Sequence, residues 1–354
     1  MTLSLPVVWH PGCLAHAPGW EFWLGLRMPD DEQPQRAELI RAAVEAAGAP
    51  IVAATSHDDA AITAVHDPAL VAFLRTAHAE WLAAGLHEDP GQELVVPYIF
   101  PTRALLGEVE PHVPAAPWAR TGYFCFDTMT PIGPGTWEAA RAAADAALTA
   151  VDLVRAGERA AYAITRPPGH HVTRSAYGGS CYLNNAAIAA QALIDGGCAR
   201  VAIVDVDAHH GNGAQEIFRG RDDVLAASVH VDPAAGWFPH FAGWPGEGGP
   251  ASCNAVVAPG GGDDAWLGAL DQVLEAVRAH APEALVLALG VDAAADDPNS
   301  PLDVTADGYR EAGRHVGVLG APTVAVQEGG YHPPTLGPLV VAALEGLEAG
   351  LGEA

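Results

Sequence analysis

Six short apolar segments alternate with longer segments of helical periodicity along this chain of 354 residues. The apolar segments are continuous and bounded by Gly, Pro or Asp, which is typical of strands that are covered on both faces. They span residues 51–54, 161–165, 199–206, 224–231, 284–289 and 323–327. The alternation predicts an α/β fold with three layers, in which a central, mostly parallel sheet has helices on both faces.

Helical segments connect these strands. Apolar residues recur at helical spacing from Trp266 to Val277, directly after Asp263 and Asp264, and acidic residues are favoured at a helix N-terminus. Thr136 is the predicted N-cap of an Ala-rich helix that ends near residue 155. Two further helices are predicted over residues 184–194 and 307–319.

Residues 86–135 depart from this alternation, because they are rich in Pro and Gly and have little periodicity. No linker and no repeat divides the chain, so we expect one domain over residues 1–354 that carries this segment as an insertion. A stretch of this length without regular structure is usually functional. We therefore expect it to form a lid, the rim of an active-site channel or a subunit contact.

Acidic residues far outnumber basic ones, with 43 Asp and Glu against 17 Lys and Arg and a formal net charge of −26. Such a chain repels nucleic acid and anionic membranes, so we expect neither as a partner. The excess of negative charge would attract cations such as polyamines or lysine-rich peptides. The alternative is that it only keeps the protein in solution.

The five cysteines predict a reducing compartment. They are scattered, odd in number and contain no Cys-x-x-Cys pair, which fits free thiols better than a disulfide framework. The N-terminal residues show no signal-peptide pattern, and no run approaches the ~18 apolar residues of a membrane span. We therefore expect a cytoplasmic protein.

The segment from Val204 to Gly213 carries the strongest chemical signal. Asp205, Asp207 and His209 occupy alternate positions at the end of a predicted strand, so they share one direction there. Carboxylates and an imidazole without a basic neighbour predict a divalent cation site, most simply zinc. In α/β sheets the chemistry also lies at the carboxyl ends of strands.

Three other strand ends carry polar groups of matching kinds. His170 and His171 follow one strand, Asp292 follows another, and Tyr331 lies on a Gly-Gly turn after the last. Taken singly, a histidine pair is often a surface feature and a Gly-Gly-Tyr turn is often only a loop. The presence of polar groups at all of these strand ends requires a functional explanation, because burial of unpaired polar groups costs free energy. Asp292 is the natural third metal ligand, with Asp207 and His209.

At this point the chain resembles the zinc-dependent deacetylase family, which includes histone deacetylases and acetylpolyamine amidohydrolases and is related in fold to arginase. The likeness runs from about residue 36 to residue 347. Asn212, where many histone deacetylases have Asp, and residues 122–137 favour the acetylpolyamine amidohydrolases. The motifs that carry the resemblance are RPPGHH at 166–171, GGSCYLNNAAIAA at 178–190, DVDAHHGNG at 205–213, SVH at 228–230, GVD at 290–292 and QEGGY at 327–331.

The resemblance implies a role for each matching residue. Asp207, His209 and Asp292 would bind Zn²⁺, although Fe²⁺ prefers similar ligands. His171, held by Asn212, would act as general base and then as general acid, and His170, paired with Asp205, would have an electrostatic role. Tyr331 would donate a hydrogen bond to the oxyanion. Asp205 and Ser228 would form a structural K⁺ site, and Phe238 and Gly179 would line the acyl channel. In the acetylpolyamine amidohydrolases the insertion also narrows the channel and builds a homodimer.

Ser180 departs from the family pattern, which has an aromatic residue just before the Cys of the Gly-rich loop. One wall of the channel is therefore expected to be open or polar, with a shifted acyl or amine preference. The candidates to refill that wall are Trp237, Trp244 and Tyr177. The acidic residues expected at the rim are Glu108, Glu110 and Asp127. They either recognise a cationic amine or are solvated loop residues without a role in binding.

The hypothesis is therefore a metal-dependent hydrolase that removes an acetyl or other short acyl group from an amine with a metal-activated water. The substrate class is a small cationic acylated amine, an acetylated polyamine or an acetyl-lysine-like chain. One alternative is an arginase-like ureohydrolase with two manganese ions. The other is a non-catalytic sensor that holds a metal and binds acylated amines.

Overall fold

A computed structural model describes residues 2–354 and contains one large sheet. Eight strands in the order β4-β1-β5-β10-β9-β6-β7-β8 pair in parallel throughout. The strands are β1 (Val7–Trp9), β4 (Ile51–Ala53), β5 (Ala160–Ala163), β6 (Val201–Asp205), β7 (Val224–Val231), β8 (Ser252–Val257), β9 (Ala284–Leu289) and β10 (Thr323–Gln327). A separate antiparallel hairpin joins β2 (Trp20–Trp23) to β3 (Leu26–Pro29).

Helices cover both faces of the sheet, which confirms the predicted three-layer α/β fold. Alternate residues of each strand enter opposite cores, as Val201 and Ala202 do. The helices are α1 (Gln35–Ala46), α2 (Ala60–Thr63), α3 (Pro68–Ala83), α4 (Arg103–Leu106), α5 (Pro117–Phe124), α6 (Thr136–Arg155), α7 (Asn185–Asp195), α8 (Asn212–Ile217), α9 (Asp263–His280), α10 (Ala306–Gly317) and α11 (Pro333–Glu353). Helices α1, α9, α10 and α11 pack on one face, and α3, α6 and α7 pack mainly on the other.

All six predicted strands are present, but the sequence prediction did not include β1, β8 or the hairpin. β1 has three residues, too few to show a pattern. β8 is an edge strand that begins with Ser252, Cys253 and Asn254, so it lacks the continuous apolar character of the central strands. The prediction that Thr136 caps α6 is wrong. Gly135 is the N-cap, in the left-handed region at φ 78°, and Thr136 Oγ1 instead accepts a hydrogen bond from the Gly133 N–H at 2.9 Å.

The C-terminal helix α11 is long and apolar enough to cross a membrane by length and composition, with a mean hydropathy of 1.2 in its most apolar window. The sequence analysis did not single it out. Within the protein, 61% of that window is buried, and the helix packs against α1 and α10. Its apolar composition is therefore accounted for by its place in the core.

Candidate active site

Neighbouring strands bring the predicted site residues together. β5, β10, β9 and β6 are adjacent in the sheet, and because they are parallel, their carboxyl ends lie at one edge. His170 and His171 follow β5, Tyr331 follows β10, and Asp292 follows β9. The segment with Asp207 and His209 follows β6. Residues that are far apart in sequence thus face one another across a few ångströms.

Asp207, His209 and Asp292 form a compact group of potential metal ligands. Nδ1 of His209 lies 3.1 Å from Oδ1 of Asp207 and 3.0 Å from Oδ2 of Asp292. Donor atoms around a tetrahedral zinc ion lie roughly 3.4 Å apart, given zinc–ligand distances of about 2.1 Å. Two carboxylates and an imidazole at this spacing fit one zinc or ferrous ion.

Burial makes this ligand group unfavourable without a cation. Asp207 and Asp292 are both fully buried. Burial, together with the charge of Asp207, raises the pKa of Asp292 to about 7. The backbone holds both carboxylates in place, because the Gly329 N–H donates to Asp207 Oδ2 at 2.8 Å and the Ala208 N–H donates to Asp292 Oδ1 at 2.8 Å. A side chain at position 329 would lie 2.3 Å from Asp292 Oδ2, so this close approach requires glycine.

The two adjacent histidines have different partners. Nδ1 of His170 lies 2.9 Å from a carboxylate oxygen of Asp205, whereas Nδ1 of His171 lies 2.7 Å from the side-chain oxygen of Asn212. Burial disfavours the charged form of both rings. For His170 the carboxylates of Asp207 and Asp205 outweigh that penalty and raise its pKa well above the usual value. For His171 burial and the neighbouring His170 lower the pKa well below it.

Tyr331 lies in the same cleft with its backbone N–H donating to Asp297 Oδ2 at 2.6 Å. Burial raises the pKa of the Tyr331 phenol well above its usual value, so the hydroxyl keeps its proton at neutral pH. The guanidinium of Arg36 lies 4.5 Å from the centre of the tyrosine ring, and its Nε donates to the Gly330 carbonyl at 2.6 Å. Arg36 therefore holds both the ring and the turn that carries it.

Asp205 and Ser228 stand opposite each other on the paired strands β6 and β7. Asp205 Oδ1 accepts a hydrogen bond from the Asp207 N–H at 3.1 Å, and Oδ2 contacts His170. Ser228 Oγ lies 2.8 Å from Nδ1 of His230. The two residues that the resemblance assigns to a potassium ion are thus register partners in the sheet, and Asp205 contacts the backbone of the metal-ligand group.

A cleft of about 490 Å³ leads from these residues to the surface. His171, His209 and Tyr331 line its inner end, and Gly179, Ser180 and Phe238 line it further out. The Phe238 ring stands 4.8 Å from the His171 ring and at 83° to it. Gly179 forms the floor here because a side chain would lie 2.4 Å from the His171 ring, and its φ of +62° also favours glycine.

Phe126 packs against Phe238, a contact that the sequence analysis did not predict. Their ring centroids are 6.5 Å apart and their planes 25° apart. Of the three candidates for the wall beside Ser180, Trp237 lines the cleft, Tyr177 is fully buried in the core, and Trp244 is 45% exposed outside the cleft lining. Phe126 packs over Gly178, where a side chain would lie 2.4 Å from its ring, and it supports Phe238 without itself lining the cleft.

Asp127 supports the Gly-rich loop and is absent from the cleft lining. Its Oδ1 accepts hydrogen bonds from the backbone N–H groups of Met129 and Thr130 at 2.9 and 3.0 Å, and its Oδ2 accepts one from Gly179 at 2.5 Å. The direct substrate contact suggested for Asp127 therefore becomes a positioning role. Glu108 lies away from the cleft and pairs with Arg103 at 2.9 Å.

The sequence analysis also missed two buried residues that support the site. Arg36 lies in the first turn of α1, and nothing in its local sequence connects it to Tyr331. Glu328 was part of a quoted motif but was given no role. Its Oε2 accepts hydrogen bonds from the backbone N–H groups of Gly169 and His170 at 2.6 and 3.1 Å, which fixes the loop that carries both histidines.

Comparison with known proteins agrees with this class of site. The histone deacetylase domain matches residues 30–347, and the chain belongs to the histone deacetylase family. Within that family it is similar to an acetylpolyamine amidohydrolase of Pseudomonas aeruginosa, with 41% identity over 92% of this chain and 93% of the relative. It is also similar to one of Burkholderia pseudomallei, with 44% identity over 92% and 94%.

Solved structures lead to the same family. The crystal structure of an acetylpolyamine aminohydrolase from Burkholderia pseudomallei matches with a TM-score of 0.91 and 40% identity, over 98% of this chain and 99% of that one. The HDA15 HD domain matches with a TM-score of 0.78 and 26% identity, over 100% and 91%. The resemblance drawn from the sequence motifs is therefore confirmed.

Proposed function

We propose that this protein hydrolyses the amide of an acylated amine, removes an acetyl or other short acyl group, and acts best on acetylated polyamines. The observation that carries the proposal is the convergence of the Asp207, His209 and Asp292 group with His171 and Tyr331 in one cleft. The similarity to acetylpolyamine amidohydrolases supports the substrate class. An acetyl-lysine-like chain is the second substrate to be tested.

Asp207, His209 and Asp292 would hold the zinc ion, with ferrous iron as the other metal that these ligands suit. When bound, the ion supplies Lewis acidity that polarises the amide carbonyl and acidifies a water molecule. All other chemistry comes from the side chains around it.

His171 is the proton carrier in this proposal. Its Nδ1 is engaged by Asn212, so Nε2 remains to accept a proton from the attacking water. The same nitrogen then gives a proton to the departing amine. His170, held by Asp205, stays beside it as a positive charge that favours the developing negative charge of the tetrahedral intermediate. Tyr331 donates its hydroxyl proton in a hydrogen bond to the former carbonyl oxygen.

The decisive experiment is acid and amine release by zinc-loaded protein from N-acetyl polyamines, longer N-acyl polyamines and acyl-lysines. The 17 basic residues of this chain are all arginine, so amine-reactive dyes label only its N-terminus and the released amine is read with little background. Release from an acetylated polyamine at a higher kcat/KM than from acyl-lysine supports the proposal. Binding without release of any acid supports the sensor instead.

An arginase-like reaction requires a second metal close to the first. The other group with metal-ligand spacing among residues 2–354 is His170, Cys181 and Glu328. Its members are already engaged, since His170 contacts Asp205 and Glu328 accepts two backbone hydrogen bonds. Metal analysis is therefore expected to find one catalytic dication per chain. Two manganese ions per chain together with urea release would favour a ureohydrolase.

We also propose a homodimer, a structural potassium ion and a cytoplasmic location. Within residues 86–135, large apolar side chains are exposed and need a covering surface; they include Tyr98 (70% exposed), Leu105 (61%) and Val109 (64%). Sedimentation at micromolar concentration tests the dimer, and Leu105→Ser should weaken it.

Replacement of K⁺ by a bulky organic cation should lower the melting temperature if Asp205 and Ser228 bind potassium.

A further inference from the structure

The loop between β7 and β8 carries one wall of the catalytic cleft. It spans residues 232–251, and we call it the wall loop. Its residues Trp237 and Phe238 line the cleft, and the centres of the Phe238 and His171 rings are 4.8 Å apart. The loop is rich in glycine, and its tip at residues 240–246 is mostly exposed. Contacts with the rest of the protein must therefore fix its position.

Gly243 is the point at which this exposed tip touches the sheet. It is buried, and its carbonyl oxygen lies 2.8 Å from Nε2 of His230, a buried residue near the end of β7. A side chain at position 243 would lie 2.7 Å from the same nitrogen, so the backbone of the wall loop rests directly on the imidazole. The φ of +101° at this position also favours glycine. The tip is thus pinned to a central strand.

The two partners of His230 fix its hydrogen-bonding pattern. A carbonyl oxygen can only accept, so Nε2 carries the proton that it donates to Gly243. Burial lowers the pKa of His230 to about 4, so the ring has a single N–H at neutral pH and Nδ1 is an acceptor. Ser228 Oγ, 2.8 Å from Nδ1, therefore donates its proton to the ring. His230 joins the sheet on one side to the wall loop on the other.

Two other hydrogen bonds tie the wall loop to the body of the protein. Nε1 of Trp237 donates to the carbonyl of Asn299 at 2.9 Å. Asn254, on the edge strand β8, donates to the carbonyl of Trp244 at a longer distance of 3.3 Å. Phe238 lies in the chain between the tryptophan tether and the histidine tether. Loss of the histidine tether therefore leaves the segment that carries the Phe238 ring firmly held at one end only.

We infer that His230 is a positioning residue that sets the place of Phe238 and thereby the fit of the substrate's alkyl chain in the cleft. The inference rests on the proposed hydrolysis and concerns the same site. His230 acts through Gly243 and the short segment that leads back to Phe238. Loss of this tether should weaken the binding of substrates with an alkyl chain, because their apolar wall is displaced, and leave the proton transfers at His171 intact.

A second route leads from His230 toward the chemistry and must be distinguished from the first. Ser228, which donates to His230, is the register partner of Asp205, and Asp205 contacts His170. A disturbance that follows this route would lower kcat, whereas displacement of the wall loop raises KM. Gly243→Ala separates the two routes, because its added methyl group pushes the loop away from His230 and leaves Ser228 in place.

The test measures kcat and KM of zinc-loaded variants on an acetylated diamine. His230→Phe and Gly243→Ala should each raise KM about tenfold and leave kcat within about twofold. His230→Gln, whose amide nitrogen offers the same kind of donor, should recover most of the loss. The matched control is His315→Phe, which removes a histidine contact of 2.9 Å to Asp271 on the outer helices and should change neither value. A fall in kcat with His230→Phe, together with normal kinetics of Gly243→Ala, would overturn the inference.

A double variant tests whether the effect passes through Phe238. In a Phe238→Ala background, His230→Phe should raise KM by less than about twofold, because the ring that it positions is already absent. A full tenfold increase in that background would show that His230 acts elsewhere.

Binding of hydroxamic acids separates this inference from the proposed function, since it needs the metal but no hydrolysis. Acetohydroxamic acid reaches only the metal, whereas the tail of octanohydroxamic acid extends past Phe238. By calorimetry, His230→Phe should weaken binding of the longer acid alone. Equal weakening of both acids, or of neither, refutes the positioning role, whether or not the protein hydrolyses amides.

Discussion

Asn212 contacts His171 twice, through its side-chain oxygen on Nδ1 at 2.7 Å and through its amide nitrogen on the backbone carbonyl at 3.1 Å. The second contact fixes which end of the amide faces the ring, so Nδ1 carries the proton and Nε2 is left as the basic nitrogen. A neutral amide also adds no negative charge that would favour imidazolium. His170, which contacts the carboxylate of Asp205, is in the opposite situation.

Replacing this amide with a carboxylate should shift the pH profile. Asn212→Asp favours protonated His171 and so raises its pKa. Because the base must be unprotonated to act, the acid limb of kcat/KM should move to higher pH, and the loss should be greatest below neutrality. The profile is measured with metal content held constant. Asn299→Asp, the same change elsewhere in the cleft, should leave the limb in place.

Tyr331→Phe should fold and retain its metal but turn over slowly. The phenol keeps its proton because burial raises its pKa, and loss of one oxyanion donor typically lowers kcat about 10²–10³-fold. The measurement is steady-state kinetics on an acetylated diamine, with zinc content determined on the same sample. Turnover close to that of the wild type would remove Tyr331 from the mechanism.

Metal removal should destabilise the protein as well as inactivate it. Without the cation, Asp207 and Asp292 are buried next to each other, and burial followed by the charge of Asp207 raises the pKa of Asp292 to about 7. Zinc at 1,000 times its Kd should stabilise the fold by about 4 kcal/mol. Asp292→Asn should bind zinc at least about 10-fold more weakly by calorimetry. Asp296→Asn, exposed and four residues further on, should bind it normally.

The strand ends could be predicted because their geometry is local. Alternation after β6 places Asp207 and His209 in one direction, and parallel pairing of β6 with β9 brings Asp292 to them. Arg36 and Phe126 could not be predicted in this way. They come from a helix start and an irregular segment, whose positions depend on packing against the rest of the protein and not on a local period.

Phe126 should matter for alkyl chains, because its ring packs against that of Phe238, which lines the cleft, at a centroid separation of 6.5 Å. Phe126→Ala removes the ring that supports Phe238, and a loss of about 1–2 kcal/mol of contact lowers kcat/KM roughly tenfold for linear acetylated amines. Bulkier acyl amines should lose less, since the opening widens. Phe241→Ala provides the control, because Phe241 is 91% exposed and outside the cleft. An equal effect of both changes would contradict the assignment.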